Sequence, residues 1–196
     1  PPESQPTMHR YPARRLLTFV RLVLVCAPLL SLGCVTRHIE MWGNVDQCIA
    51  VLHPTEGHTA RGTVRFLQLQ EGVKVIAHVE GLNPNSTHAI HVHEYGDCSA
   101  ADGTSAGGHY NPEGHDHGLP EQEHRHAGDL GNLKADAEGK AHYEITVHNL
   151  SVAELTAPVI GRAVIVHAGK DTGAQPTGDA GPRIACGVIG VANTEK

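Results

Sequence analysis

Short apolar runs recur along the chain from residue 49 onward, at 49–52, 62–66, 73–79, 89–93, 141–147, 163–167 and 184–189. Several alternate apolar with polar positions or are rich in β-branched residues, the pattern of strands that bury one face. Turn formers separate them: Asn83-Pro84-Asn85, Glu138-Gly139-Lys140 and Gly178-Asp179-Ala180-Gly181. Nothing sustains a helical period. The pattern predicts an all-β domain, a β-sandwich or small barrel with Greek-key connections. One connection stands apart. Residues 95–131 form a long segment rich in Gly and His, and a structureless loop of that length inside a compact domain is expected to carry function.

The N-terminal part reads differently. Arg10, Arg14, Arg15 and Arg21 precede an apolar stretch at residues 22–32. A positive region followed by a short apolar run is the form of a secretory signal, and the run is too short to span a membrane. Residues 1–34 are therefore expected to be an address rather than part of the fold, with 35–46 a linker and 47–193 the functional domain. The run Leu30-Ser31-Leu32-Gly33-Cys34 also resembles a lipoprotein site, which makes Cys34 a candidate lipid anchor. The expected location is outside the cytoplasm, periplasmic or extracellular, with a membrane-anchored lipoprotein as one form of it.

Composition sharpens this picture at three points. Aromatic residues are 4% and Gly numbers 22, which suits short strands joined by turns. The formal net charge is −6, and from Val35 onward 11 Lys and Arg stand against 20 Asp and Glu, a net charge of −9. No basic patch of the kind that binds nucleic acid is present. Beyond Cys26 and Cys34, three cysteines remain, Cys48, Cys98 and Cys186. In an oxidising compartment two of the three are expected to pair.

The sixteen histidines carry the chemistry. His91-Val92-His93 lies on an expected strand, where alternate residues face one way, so both imidazoles point to one side. His109, His117, His126 and Asp129 follow in the long segment, and His167 ends another expected strand. Any one of these is more simply a surface or hydrogen-bonded histidine. Together they are seven metal-competent side chains, too many for one four-coordinate ion and enough for two. Histidine-rich sets favour copper and zinc, and three His with one Asp suit a closed structural zinc site. His115 and His124 share the segment but are expected to be exposed neighbours. His53, His58, His78, His88, His142 and His148 are expected to be surface or structural.

Five segments carry a resemblance that spans residues 47–193. They are His91-Val92-His93-Glu94-Tyr95-Gly96-Asp97, Gly107-Gly108-His109-Tyr110-Asn111-Pro112, Arg125-His126-Ala127-Gly128-Asp129-Leu130-Gly131-Asn132, Gly161-Arg162-Ala163-Val164-Ile165-Val166-His167 and Gly181-Pro182-Arg183-Ile184-Ala185-Cys186-Gly187-Val188-Ile189-Gly190. In these the sequence resembles the copper,zinc superoxide dismutases, in a secreted bacterial form with animal-like dimer segments. The resemblance implies an eight-stranded antiparallel Greek-key barrel with long metal-binding and electrostatic loops. It implies one copper and one zinc per subunit and an antioxidant function, the conversion of two superoxide anions and two protons into dioxygen and hydrogen peroxide by alternating Cu(II) and Cu(I).

Residue by residue, the resemblance implies copper on His91, His93, His109 and His167, and zinc on His109, His117, His126 and Asp129. His109 would bridge the ions and relay a proton, zinc being structural. Asp171 would link a copper His to a zinc His from behind, and Arg183 would orient the anion beside copper. Cys98 and Cys186 would form the disulfide, leaving Cys48 free. Residues 158–161 and 187–190 resemble the apolar segments of a two-fold interface, which implies a homodimer. The segment 171–177 is shorter than in animal enzymes and lacks their steering residues, leaving Lys170 as a candidate. A non-enzymatic copper carrier or a zinc-binding structural module on this fold would tolerate loss of copper positions or of Arg183, and here all are present.

Overall fold

The computed structural model describes residues 45–194. The expected signal, the Cys34 anchor site and all but the last two residues of the expected linker lie outside the described residues. Eight strands follow in order: β1 (Gln47–Pro54), β2 (Arg61–Gln68), β3 (Val73–Glu80), β4 (Thr87–His93), β5 (Asp129–Lys134), β6 (Ala141–Val147), β7 (Ala163–His167) and β8 (Arg183–Val191). One short 3-10 turn, Thr104–Ala106, sits in the loop after β4. Every pairing is antiparallel, in the order β5-β4-β7-β8-β1-β2-β3-β6. The curled sheet is a nearly closed barrel. The Tyr143 hydroxyl of β6 donates to the Leu130 carbonyl of β5 at 2.7 Å, across the two edge strands. Successive strands β3 and β4, and β6 and β7, are not neighbours in the sheet, so their connections cross the barrel ends as Greek keys require.

Parity explains where the core lies. In β3, Val73, Val75, Ala77 and Val79 are buried while Lys74, Ile76, His78 and Glu80 face outward. In β4, Ile90 and Val92 enter the barrel core with Val164 and Val166 of β7. Yet β4 from His88 onward and all of β7 are buried on both faces, because long loops cover their outer side. Beneath one of these loops lies a satellite cluster of Ala106, Ala163, Ile165 and Cys186, with Cys98 packed on it.

The expected fold and the observed one agree, with one strand missed by the apolar pattern. That pattern gave seven runs and read residues 95–131 as one loop, whereas β5 starts at Asp129. The segment Asp-Leu-Gly-Asn-Leu-Lys has no β-branched residue and a central Gly131 at φ 87. Its pairing with β4 also shifts register between Ala89 and His91. A bulge of this kind breaks the period of two on which strand recognition rests.

Candidate metal centre

The outer face of β4 and β7 forms the floor of the site. His91, His93 and His167 project from it, opposite in parity to the core residues Ile90, Val92 and Val166. Both register shifts on these strands fall at site histidines, one between Ala89 and His91 and one between Val166 and His167. Bulges bend a strand and re-aim its side chains. The long loop then brings His109, which bridges to His93 across the floor, together with His117 and His126. Asp129 arrives as the first residue of β5.

The seven residues form two groups that share one member: His91, His93, His109 and His167, and His109, His117, His126 and Asp129. Within each group one ligand-capable atom per residue lies within 4.8 Å of all the others. Two ligands on one tetrahedral ion at about 2.0–2.1 Å stand roughly 3.3–3.4 Å apart. His126 Nδ1 is 3.3 Å from both His109 Nδ1 and Asp129 Oδ1. His117 Nδ1 is 3.0 Å from Asp129 Oδ2 without the alignment of a hydrogen bond. The spacing of the second group is therefore that of ligands around an ion.

Each imidazole on the floor is fixed by its other nitrogen. His93 Nδ1 donates to the Gly107 carbonyl at 3.0 Å and His167 Nδ1 to the Gly181 carbonyl at 3.0 Å. His91 Nε2 donates to Asp171 Oδ2 at 2.8 Å, and His117 Nε2 to Asp171 Oδ1 at 2.9 Å. These bonds leave His91 Nδ1, His93 Nε2, His167 Nε2 and His117 Nδ1 buried with no hydrogen-bond partner. A buried polar atom without a partner costs about 1–3 kcal/mol, so four together mark a site shaped for ions that accept their lone pairs. His109 Nδ1 lies 2.8 Å from Asp129 Oδ1, which leaves Nε2 as its atom toward the first group.

Electrostatics prepare the same ligands. Burial pushes His91 down to about 4 against the opposing bond to Asp171. Burial, with the nearby charges of His91 and His109, brings His167 to about 3. Burial also holds His93 well below the usual range. Burial would lower His117 too, but the carboxylate of Asp129 beside its Nδ1 and the hydrogen bond from Nε2 to Asp171 win and raise it to about 9. Burial alone would raise both carboxyls; the bond from His109 and the close approach of His117 at Asp129, and the bonds from His117 and His91 to Asp171, outweigh it and hold both ionised. His91, His93 and His167 are thus held neutral and Asp129 ionised, the forms that bind a metal, whereas His117 has to give up a proton when an ion binds. Nitrogen-rich sets with one carboxylate fit copper and zinc.

Asp171 hydrogen-bonds one histidine of each group and is itself held. Its backbone N–H donates to Asn132 Oδ1 at 2.8 Å, Asn132 Nδ2 donates to its carbonyl at 3.0 Å, and Gly173 N donates to Oδ1 at 2.8 Å. Gly178, at φ 79, has to be glycine, since a Cβ there would fall 2.2 Å from Asp171 Oδ1. Arg183 opens β8, and its Nη1 and Nη2 donate to the Gly103 and Gly107 carbonyls, each at 2.6 Å. Gly107 O thereby receives both His93 and Arg183. Cys98 and Cys186 are joined, with Cα atoms 5.8 Å apart, and Cys48 is free and buried. The bond ties the loop that holds Arg183 to the strand that carries it.

His115 is half-buried and His124 exposed, and neither belongs to a ligand group. The sequence marked His88 only as surface or structural and gave no role to Asn132 or Gln175. His88 is buried, and its Nδ1 donates to the backbone carbonyl of His167 at 2.9 Å while Nε2 lies 2.6 Å from Ser86 Oγ. Gln175 grips the backbone of His117 at both its N–H (3.1 Å) and its carbonyl (2.8 Å). The one available signal was proximity in sequence to site residues, His88 to His91 and Gln175 to Asp171.

Residues 60–189 match the family described as copper/zinc superoxide dismutase. The chain is 40% identical over 185 residues to the Cu-Zn superoxide dismutase of Paramecium bursaria Chlorella virus 1, which covers 90% of this chain and 96% of that one. It is 40% identical over 155 residues to the extracellular Cu-Zn superoxide dismutase of Brugia pahangi, covering 73% and 75% of the two chains. It is 42% identical over 139 residues to the copper chaperone for superoxide dismutase of Homo sapiens, covering 67% of this chain and 48% of the chaperone.

Proposed function

The chain belongs to the copper/zinc superoxide dismutase family and disproportionates superoxide to dioxygen and hydrogen peroxide, and we propose that His91, His93, His109 and His167 hold its copper while His109, His117, His126 and Asp129 hold its zinc. The observation that carries this assignment is the sharing of His109 between the two ligand groups. Bound there, copper supplies the one-electron Cu(II)/Cu(I) couple, and zinc a charge that does not change with the redox state. His109 Nδ1 would face the zinc side beside Asp129, and Nε2 would hold either copper or one of the two protons of the reaction, releasing the one as it takes the other. Arg183 binds and orients the anion. Two of its five N–H groups are committed to Gly103 and Gly107, and the others remain as donors for a small anion. Asp171 keeps the imidazoles of His91 and His117 in one tautomer and one orientation.

The same reading extends to the chain's surroundings. Residues 1–34 act as the export signal, residues 35–46 as a linker and residues 47–193 as the enzyme domain. The Cys98–Cys186 bond suits an oxidising compartment. Secretion into the periplasm or the extracellular medium follows, with lipid attachment at Cys34 as the anchored form. Two chains pair as a homodimer through residues 158–161 and 187–190. Val51, Val188 and Val191 support this, since they stand 50%, 45% and 57% exposed on neighbouring strands.

A specific alternative is copper delivery, since a copper chaperone is among the relatives. The test is to load the protein with copper and zinc and to measure dismutation beside metal content. Fast, copper-dependent dismutation, lost in His93→Ala and sharply reduced in Arg183→Ala, supports the enzyme reading. Two bound ions with no dismutation would replace it with the carrier.

A further inference from the structure

The outer wall of the barrel carries a second histidine constellation, on strands that contribute none of the seven ligands above. His78 of β3 and His142 of β6 are directly opposite each other in the antiparallel ladder, and both are exposed. Side chains at opposed positions start with Cβ atoms about 4.5–5.5 Å apart, close enough to meet. Here they do. The ring centroids are 4.5 Å apart with planes tilted by 34°, and the two Nδ1 atoms face each other at 3.2 Å.

Two Nδ1 atoms at that distance can share one proton or receive one ion. Exposed to water, a shared proton stabilises little, since a net hydrogen bond contributes only about 0.5–1.5 kcal/mol even in favourable settings. The spacing is close to the roughly 3.3–3.4 Å expected of two imidazoles on one tetrahedral ion. Glu144 adds the feature that favours the ion. It lies two residues beyond His142 on the same face of β6, with Oε1 at 3.4 Å from His142 Nε2. Its other oxygen is held by Lys74 Nζ at 2.8 Å. A carboxylate at Nε2 keeps the proton on that nitrogen and leaves the Nδ1 lone pair turned toward His78. Histidines that bind metal commonly donate their second N–H to a carboxylate in this way.

We propose that His78 and His142 form an auxiliary surface site for a divalent transition ion, Cu2+ or Zn2+, with both Nδ1 atoms as ligands, water completing the shell and Glu144 fixing His142. Two protein ligands open to solvent hold an ion less tightly than four buried ones, so the site exchanges while the buried centre stays filled. The proposal stands apart from the superoxide reading, because neither histidine touches the centre.

The test starts from the fully metallated protein, freed of loose metal and titrated with Cu2+ under equilibrium dialysis, with electron paramagnetic resonance of the added copper. Wild type is expected to bind one equivalent more than His78→Ala or His142→Ala, with nitrogen hyperfine structure from two imidazoles. Glu144→Gln is expected to weaken that equivalent about tenfold or more, as loss of a supporting carboxylate does. Circular dichroism confirms that these surface variants keep the fold. The proposal is overturned if wild type takes no further equivalent, or if both alanine variants take it with unchanged affinity.

Discussion

Replacing Asp171 by Asn tests whether one carboxylate organises both halves of the centre. Asp171 accepts from His91 Nε2 at 2.8 Å through Oδ2 and from His117 Nε2 at 2.9 Å through Oδ1. An Asn side chain has the same shape but one acceptor, so whichever way the amide turns, one imidazole N–H meets an N–H. The two histidines are not equally robust to this. His91 sits in β4, paired on one side with β5 and on the other with β7. His117 sits in a loop, where its backbone is held by Gln175 and its ring by Asp171. The loss therefore falls mainly on the zinc group. Supporting partners of a ligating His are worth about 10–100-fold in metal affinity, or about 1.4–2.7 kcal/mol. Zinc affinity should fall by that factor in Asp171→Asn, read by competition with a chromophoric chelator, while copper binding changes less. Zinc affinity within threefold of wild type would refute the positioning role.

Three further outcomes follow from the same structure. Removing both ions leaves buried ring nitrogens of His91, His93, His117 and His167 unpaired. An ion present at a thousand times its Kd stabilises by about 4 kcal/mol and each kcal/mol moves Tm by about 2–4 °C in a chain of this size, so calorimetry should place the metal-free midpoint some ~16–32 °C lower; a shift under ~5 °C would count against preorganisation. Cys98→Ser opens a loop of 88 residues, a loss of about 4–5 kcal/mol on the chain-entropy account. Urea unfolding should show it, and dismutation should fall with it because Gly103 and Gly107 no longer anchor Arg183. Burial pushes the Cys48 thiol up to about 11 from 9.0. A raised folded pKa adds stability that is whole below pH 9 and is lost as pH rises toward 11. The stability difference between wild type and Cys48→Ala should shift in that window and stay flat from pH 6 to 8, where iodoacetamide should leave Cys48 unmodified until the chain is unfolded.

How much of this could be read from the sequence depends on the range of the interaction. Strand parity is local, so Val73, Val75, Ala77 and Val79 announced a half-buried strand, and His91-Val92-His93 announced two imidazoles on one face. Local signals failed at β5, where Gly131 and the shifted register hide the alternation. They also failed wherever a residue acts on one far along the chain. His88 reaches His167 across 79 residues, Gln175 reaches His117 across 58 and Asn132 reaches Asp171 across 39. The identity of His109 as the shared member came from the family pattern alone, since spacing cannot distinguish it from His117 or His126. The cross-strand meeting of His78 and His142, 64 residues apart, was hidden for the same reason, the sequence having marked both only as surface or structural histidines.

What joins these long-range contacts is a rule about which ring nitrogen is free. His93 and His167 give Nδ1 to backbone carbonyls and keep Nε2, while His91 gives Nε2 to Asp171 and keeps Nδ1. Those choices are imposed by Gly107 and Gly181 in the covering loops, and by an aspartate clamped by Asn132. The barrel supplies rigid Cα positions and the two bulges aim the rings, but the loops select the tautomers. Loosening a loop should then disturb ligand chemistry before it disturbs the barrel. The Cys98–Cys186 bond lies where it opposes that failure, because the loop it anchors carries the Gly107 carbonyl on which both His93 and Arg183 depend.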